Sequence, residues 1–215
     1  MAGRTGKKRW MVILVAIVAG FLKWKYPEFF DEAGTGPGSV QIPEGTSYET
    51  YQNCSLVNYR NNDGDSFMVK FPDGRETEMR LYYVDAPESK VKTYRGGDSN
   101  LERIQDQAKD LGGLSVEQTT EIGQAAKTRV KQLLMSPFTV VTRHEKVYGS
   151  AREYGFIQPD GGRDYLHEIL VDEGLGRIHT SGAELPDGTS VKNQKKQLKR
   201  LEEKAKRERQ GAWAF

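Results

Sequence analysis

The chain has 215 residues, a formal net charge of +2 and 36% hydrophobic residues. This length is enough for one domain with a sizeable core, or for one domain with appendages. The near-neutral charge excludes a polycation that binds anions over its whole surface. Cys54 is the only cysteine, which excludes an intramolecular disulfide, and three widely spaced histidines argue against a zinc site.

The first segment, residues 1–30, has the layout of an export signal. Basic residues precede an apolar run at 10–22, and residues 17–19 offer an imperfect small-residue cleavage site. The run is shorter than the ~20 apolar residues of a usual spanning helix, but Lys23 to Tyr26 suit a membrane interface. We expect a signal peptide or an uncleaved membrane anchor, with the rest of the chain extracytoplasmic, either secreted or tethered. A buried core helix is the alternative, disfavoured by the terminal position and the basic flanks.

Residues 31–48 predict a linker or extended arm, because glycine and proline are dense and apolar residues are few. The remaining residues, 49–215, contain the alternating patterns of a globular domain. We therefore expect one folded domain over residues 49–215, preceded by the linker and the apolar segment.

Short strand patterns separated by turn signals dominate the first half of this domain. The predicted strands lie at 56–59, 65–71, 76–84, 138–142 and 154–157, with helical sequence between the third and the fourth. Pro72-Asp-Gly74 joins the second and third strands as a hairpin. This arrangement predicts an α+β fold: a five-stranded OB-fold β-barrel with packed α-helices, in addition to the N-terminal apolar helix.

Helical patterns occur at 99–111, 115–135, 164–174 and 190–213. Ser115 and Gln118 have the spacing of a capping box, and His167 is expected to be an exposed or capping residue. The last helix carries nine Lys and Arg residues, including Lys192 and Lys195. Its basic face either attracts nucleic acid or is simply solvated.

Three acids and one arginine stand at the ends of two adjacent predicted strands. Asp65 opens the first strand, Arg80 lies within the second, and Asp85 and Glu88 follow it. Charges this close require a bound cation and an anionic ligand to balance them. The two Asp carboxylates suit a hard divalent ion, the guanidinium suits a phosphate, and Glu88 can activate or position water. This chemistry fits phosphoester hydrolysis.

The motifs that contain these residues are more specific than the residues alone. Asp63-Gly-Asp-Ser66, followed by Arg80-Leu-Tyr-Tyr-Val-Asp-Ala-Pro-Glu88, resembles the pattern of the staphylococcal-type thermonuclease (micrococcal nuclease) family. The resemblance extends from about residue 51 to Trp213. It implies the same OB fold and a Ca²⁺-dependent hydrolysis of phosphodiester bonds in DNA and RNA. We expect a monomer.

The resemblance also implies a role for each central residue. Asp65, Asp85 and the carbonyl of Ala86 would bind the Ca²⁺ ion, although carboxylate ligands do not exclude another divalent ion. Arg80 would bind the phosphate, and Glu88 would act as the base or position the attacking water. Against the short members of the family, the helix at 99–111 looks like an insertion, which either forms a wall of the substrate cleft or decorates the surface.

A second phosphate-binding arginine is expected from the same resemblance. In the family it follows a Tyr-Gly pair, but here Ser150 follows Tyr148-Gly149. Counting back from the strand at 154–157 points to Arg152, and Arg143 is the alternative.

Further substrate contacts are predicted at His179, Lys192 and Lys195. The loop that carries tyrosines in the family contains His179 here, which leaves the nucleobase platform open. Two other functions are alternatives: a non-catalytic OB-fold module that binds nucleic acid, and a membrane-tethered Ca²⁺-binding or interaction protein. The presence of Arg80 and Glu88 together favours the enzyme.

Overall fold

The computed structural model describes residues 47–160 and 162–215. The predicted signal or anchor at 1–30, and the linker up to residue 46, lie outside these residues. In the described ranges, no helix is long and apolar enough to cross a membrane. The elements in chain order are β1 (Glu49–Leu56), β2 (Ser66–Lys70), β3 (Glu76–Leu81), β4 (Val84–Asp85), α1 (Leu101–Asp110), α2 (Val116–Leu133), β5 (Phe138–Thr142), β6 (Glu153–Gln158), α3 (Leu166–Asp172), β7 (Arg177–Ile178), α4 (Val191–Glu208) and a 3₁₀ helix (Gly211–Ala214).

Five strands close into a barrel in the order β1-β2-β3-β6-β5. Neighbouring strands are antiparallel except for β3 and β6, which are parallel. A closed five-stranded barrel of this order, with four α-helices in the described residues, agrees with the predicted OB-type α+β fold. The short strands β4 and β7 form a separate two-stranded ladder.

The hairpin of β2 and β3 fixes the geometry from which the site is built. Its register places Ser66 opposite Arg80 and Phe67 opposite Met79. Because side chains alternate along a strand, Phe67 and Met79 point into the barrel core, where both are buried. Ser66 and Arg80 therefore lie together on the other face of the hairpin.

The predicted first strand at 56–59 is wrong, because the strand runs from Glu49 to Leu56. Its alternation is broken by a register shift between Tyr51 and Cys54, where Asn53 has a φ of 60°. A bulge of this kind removes the period-two pattern from which a strand is recognised. Most of its side chains are also exposed and polar, and only Cys54 is buried.

Helix α2 begins as predicted, with Ser115 as its N-cap and a capping box formed with Gln118. Helix α4 also begins where predicted, with Ser190 as its N-cap. The helix predicted at 99–111 begins later, with Asn100 as the N-cap of α1, and the helix predicted at 190–213 ends at Glu208, followed by Arg209 in the left-handed region.

His167 is buried, with 1% of its surface exposed, instead of being exposed or capping. Its ring stacks on Tyr83 and Tyr165, with centroids 5.4 and 5.7 Å away. Burial lowers the pKa of His167 to about 3, so the ring is neutral at physiological pH.

Helix α2 packs directly on the loop that follows β4. A Cβ placed on Gly123 would lie 2.5 Å from the carbonyl oxygens of both Pro87 and Glu88. Only a glycine permits this approach between the helix and the loop, so Gly123 fixes the position of the backbone at Glu88.

Gly123→Ala is expected to lower the free energy of unfolding by about 1–2 kcal/mol, because the overpacking cost exceeds the gain in helix propensity. Urea denaturation followed by circular dichroism measures this change. Thr128→Ala, at an exposed position of the same helix, is the control and should be neutral or slightly stabilising. Equal stabilities of Gly123→Ala and the wild type would contradict the proposed close contact.

Candidate active site

The chain reverses direction sharply after β3, just before the predicted site residues Asp85 and Glu88. Tyr83 adopts a φ of 69°, which is rare for a residue with a side chain. The conformation is held by two backbone hydrogen bonds of 2.9 Å, from Tyr83 N–H to Ser181 and from His179 N–H to Tyr83. Pairing of β4 with β7 then places Asp85 opposite Arg177.

Gly64 allows the turn before β2 to approach the other half of the site. A Cβ there would lie 2.6 Å from the Cβ of Ala86 and 2.9 Å from that of Ala126. At this short distance the Asp65 carboxylate accepts a hydrogen bond of 2.8 Å from the backbone N–H of Ala86. Two of the predicted metal ligands are thereby joined.

Arg80 joins the two predicted carboxylate ligands. Its Nη1 donates to Asp65 Oδ1 and its Nη2 donates to Asp85 Oδ1, each at 2.8 Å. Both carboxylates therefore face one guanidinium group, which is largely buried. The convergence of Asp65, Arg80 and Asp85 follows from the hairpin register and the turn at Tyr83.

Arg152 lies beside Arg80, and Arg143 does not. Arg152 Nη1 and Arg80 Nη1 each donate to the hydroxyl of Ser66, at 3.1 Å. Arg143 instead pairs with Glu145 at 2.8 Å, and its guanidinium lies over the ring of Tyr48. The structure thus places Arg152, and not the alternative Arg143, at the predicted site.

The Asp85 carboxylate accepts hydrogen bonds from four side chains. Oδ1 binds Arg80 at 2.8 Å and Arg103 at 2.6 Å, and Oδ2 binds Arg177 at 2.8 Å and Gln107 at 2.9 Å. A carboxylate has about four lone-pair directions, so this set occupies all of them. Arg103 and Gln107 both come from α1, the helix that looked like an insertion.

Glu88 is bound on both carboxylate oxygens. Oε1 accepts from Arg103 at 3.1 Å, and Oε2 accepts from Asn100 at 3.1 Å and Lys92 at 3.2 Å. Gln107 adds a backbone contact, because its Oε1 accepts from the N–H of Glu88 at 3.0 Å. Helix α1 therefore forms one wall of the site, and the surface-decoration alternative is wrong.

The two aspartates titrate in opposite directions. Burial disfavours the charged form of both, but the Arg103, Arg80 and Arg177 guanidiniums and Gln107 hold the pKa of Asp85 well below its usual range. Burial raises the pKa of Asp65, because Arg80 offsets the desolvation only in part and the Asp85 charge opposes it further. At neutral pH, Asp85 is the more firmly ionised of the two.

The predicted substrate contacts lie farther out. His179 is exposed and borders a cavity of about 470 Å³ that Arg103 and Arg177 also line. Lys192 and Lys195 are exposed on α4, which packs on α3, β7 and the 3₁₀ helix. Among the described residues, neither lysine makes a hydrogen bond or ion pair with the acids and arginines of the site.

A scan against protein-family models matches residues 78–215 to the family described as staphylococcal nuclease homologue. The match covers more than half of the chain. The chain belongs to the staphylococcal nuclease homologue family. The matched part includes Arg80, Asp85, Glu88 and Arg152, and it begins after Asp65. A search of curated proteins found no match.

Members of the staphylococcal nuclease family typically depend on Ca²⁺. Asp65, Asp85 and the carbonyl of Ala86 provide only oxygen atoms, which is the chemistry that a hard cation requires. Their proximity is shown by the Arg80 bridge and the Asp65 contact with Ala86. The set fits Ca²⁺ in kind, but a cation at Asp85 Oδ1 has to compete with both Arg80 and Arg103.

No group of three or more His, Cys, Asp or Glu side chains within 47–160 and 162–215 is arranged to hold a metal ion. The predicted set contains two carboxylates and one backbone carbonyl, so water or substrate oxygens would complete the coordination. Arg103 is the displaceable competitor, because its side chain is 43% exposed, whereas that of Arg177 is 7% exposed.

Sequence reasoning missed five polar residues that bind the carboxylates of this nuclease-family site: Asn100, Arg103, Gln107, Arg177 and Lys92. The first three are spaced by three and four residues, which places them on one face of α1. This spacing was a usable signal for a polar face directed at a charged partner. Arg177 gave no such signal, since its partner Asp85 is 92 residues away.

Asp85→Asn is expected to lower the free energy of unfolding at pH 7 by about 3–5 kcal/mol, because it removes the buried charge that three guanidiniums share and leaves Arg177 paired only with the exposed Asp110 among the described residues. Asp65→Asn should change it by less than about 1 kcal/mol, since burial already disfavours the charged form of Asp65. Urea denaturation of both variants and the wild type measures the difference.

The pH dependence follows from the low pKa of Asp85, which is about 2 in the folded protein. A depressed carboxyl pKa contributes stability above the unfolded value, near 4, and this contribution is lost as pH falls toward 2. The gap between wild type and Asp85→Asn should therefore narrow over that range. A constant gap would show that the ion pairs do not stabilise the fold.

Proposed function

We propose that the chain is a nuclease that hydrolyses phosphodiester bonds in DNA and RNA with the help of Ca²⁺. The observation that carries this proposal is the meeting of Arg80 and Arg152 at the hydroxyl of Ser66, directly beside the Asp65 and Asp85 carboxylates. Two guanidiniums at one point suit a phosphodiester, one for binding and one for charge that develops in the transition state. Family membership supports the same reaction class.

Each residue has a role in this proposal. Arg80 and Arg152 donate to the non-bridging oxygens of the phosphate and hold it in line with the attacking water. Glu88 orients that water or accepts its proton. Asp65, Asp85 and the Ala86 carbonyl hold Ca²⁺, which would polarise a phosphate oxygen as a Lewis acid. Gln107 donates to the Ala86 carbonyl at 3.1 Å and fixes its direction.

The Arg80 guanidinium is already ordered by carboxylates in the free protein. Asp65 and Asp85 hold it, so its orientation is fixed before a substrate anion arrives. Donors that are oriented in advance need little reorganisation during the reaction, which is the main source of electrostatic catalysis. The phosphate then shares or replaces a carboxylate as acceptor.

We also propose that the enzyme lies outside the cytoplasm, a proposal that rests on residues 1–30 alone. Their basic start and apolar run support export or membrane anchoring of a monomeric enzyme. Nucleic-acid binding without cleavage is the alternative function, and the experiment below distinguishes the two.

Arg80→Ala and Arg152→Ala are each expected to lower kcat on heat-denatured DNA by about 10²–10³-fold, because each removes a donor to the transition state. Cleavage is measured with Ca²⁺ and again with a chelator, which should abolish it. Arg143→Ala is the matched control and should retain activity, because Arg143 is paired with Glu145 away from the site. DNA bound without cleavage by the wild type under every divalent ion would instead support the binding module.

Arg103→Gln is expected to tighten Ca²⁺ binding about tenfold, equivalent to ~1.4 kcal/mol, since one of the three guanidiniums that compete with the cation for Asp85 is removed. The modest size reflects the partial exposure of Arg103, which screens its ion pairs. Isothermal titration calorimetry with Ca²⁺ measures the Kd. Lys109→Gln removes the same charge from an exposed position of α1 and should leave the Kd unchanged. Weaker binding by Arg103→Gln would show that Arg103 supports the cation site.

A further inference from the structure

A groove of about 560 Å³ lies between the loop that joins β1 to β2 and the outer side of helix α2. The loop contributes Tyr59, Arg60 and Asp63, and the helix contributes Lys127 and Lys131. None of the residues assigned above to phosphate or metal binding lines it. The groove is therefore a separate feature whose ligand has to be argued from its own chemistry.

The groove adjoins the turn that carries the proposed active-site residues. Asp63 lines it and precedes Asp65 by two residues. On the helix side, Lys127 follows Ala126, whose Cβ would lie 2.9 Å from a Cβ on Gly64, and the same Cβ on Gly64 would lie 2.6 Å from that of Ala86. One end of the groove therefore lies beside the turn between Asp63 and Asp65.

The charged part of the lining favours an anion. Arg60, Lys127 and Lys131 form no ion pair with any other residue in the described part of the chain, and Asp63 is the single acid in the lining. Arg129 and Lys204, in contrast, are paired with Glu173 and Asp172. Cations left without carboxylate partners along one groove suit the phosphates of a polyanion.

The remaining lining favours bases. Tyr59 is half-buried and lines the groove together with the apolar residues Val130, Leu134 and Met135. Met135 is 78% exposed and adds accessible apolar surface to the lining. Aromatic and apolar surface beside cations is what single-stranded nucleic acid requires, because bases stack on the first and phosphates pair with the second. In OB barrels generally, the loop between the first two strands also contacts oligonucleotides.

We propose that this groove binds the part of a single-stranded DNA or RNA substrate that flanks the scissile phosphodiester. Tyr59 stacks on a base, and Arg60, Lys127 and Lys131 bind neighbouring phosphates. The proposal rests on the nuclease function for the position of the scissile bond, but not for the binding of the strand. A groove of this kind gives preference for unpaired strands, whose bases are free to enter it.

The test compares Lys127→Gln/Lys131→Gln with Lys70→Gln/Lys109→Gln in the full chain. Both double variants lose two positive charges, and both control lysines are exposed and lie outside the groove lining. Fluorescence anisotropy with a labelled single strand of about 12 nucleotides, in the presence of a calcium chelator, measures binding without cleavage.

The groove variant should bind the strand at least about tenfold more weakly at low salt and lower the slope of log K against log salt by ~1.4, at ~0.7 for each lost phosphate contact. Tyr59→Ala should weaken binding about tenfold with an unchanged salt slope, because it removes stacking and no charge. Equal affinities of the two double variants, or no binding of the strand by the wild type, would overturn the proposal.

A second readout separates this proposal from the nuclease function. A thymidine p-nitrophenyl phosphodiester is too short to reach the groove, so both double variants should turn it over at the wild-type rate. Cleavage of the long strand should show a raised KM in the groove variant alone. If the wild type cleaves neither substrate, the nuclease function fails while the anisotropy result still decides the groove. Slower turnover of the small diester by the groove variant would mean that the lysines support the active site, against the proposal.

Discussion

The buried carboxylate of Asp85 is the interaction on which the rest of the site depends. Its four donors come from three elements that are distant in sequence: Arg80 from β3, Arg103 and Gln107 from α1, and Arg177 from β7. A carboxylate out of contact with water is costly unless it is paired and fully hydrogen-bonded. The Asp85 carboxylate therefore fixes the relative positions of strand β3, helix α1 and the short β4–β7 ladder.

This arrangement also explains how a phosphate site and a cation site can occupy the same part of the protein. A phosphate site needs guanidiniums, and a cation site needs carboxylates, and each set is unstable without the other. Arg80 bridges Asp65 and Asp85, so its positive charge is neutralised within the fold until an anion arrives. Burial raises the pKa of Asp65, whereas the pKa of Asp85 is lowered despite burial, because Asp85 has more guanidinium partners than Asp65. Asp65, whose one charged partner among the described residues is Arg80, is the carboxylate that gains most from an added cation.

The parts of this site that sequence analysis predicted are those that local structure brings together. Asp65 and Arg80 meet because one hairpin register aligns Ser66 with Arg80, and turn signals are enough to predict that hairpin. Arg152 was found by counting along a strand that pairs directly with β3. The wrong predictions have physical reasons. A bulge in β1 removes the alternating pattern by which a strand is recognised, and His167 is buried by aromatic rings that come from distant segments. Periodicity describes one element at a time, and these features depend on several.

Helix α1 shows where that limit matters most for function. Its sequence predicted a helix, and the spacing of Asn100, Arg103 and Gln107 indicated a polar face. The pattern did not identify Glu88 and Asp85 as the residues that this face contacts. Without this face, Asp85 would keep only Arg80 and Arg177, and Glu88 would keep only Lys92 among its side-chain donors. A helix that supplies half of the donors to the central carboxylate and, with its N-cap Asn100, most of those to Glu88 is part of the candidate site. The free protein holds Glu88 and Asp85 in ion pairs with Arg103, so under the proposed function substrate and cation would have to exchange with those pairs before the reaction begins.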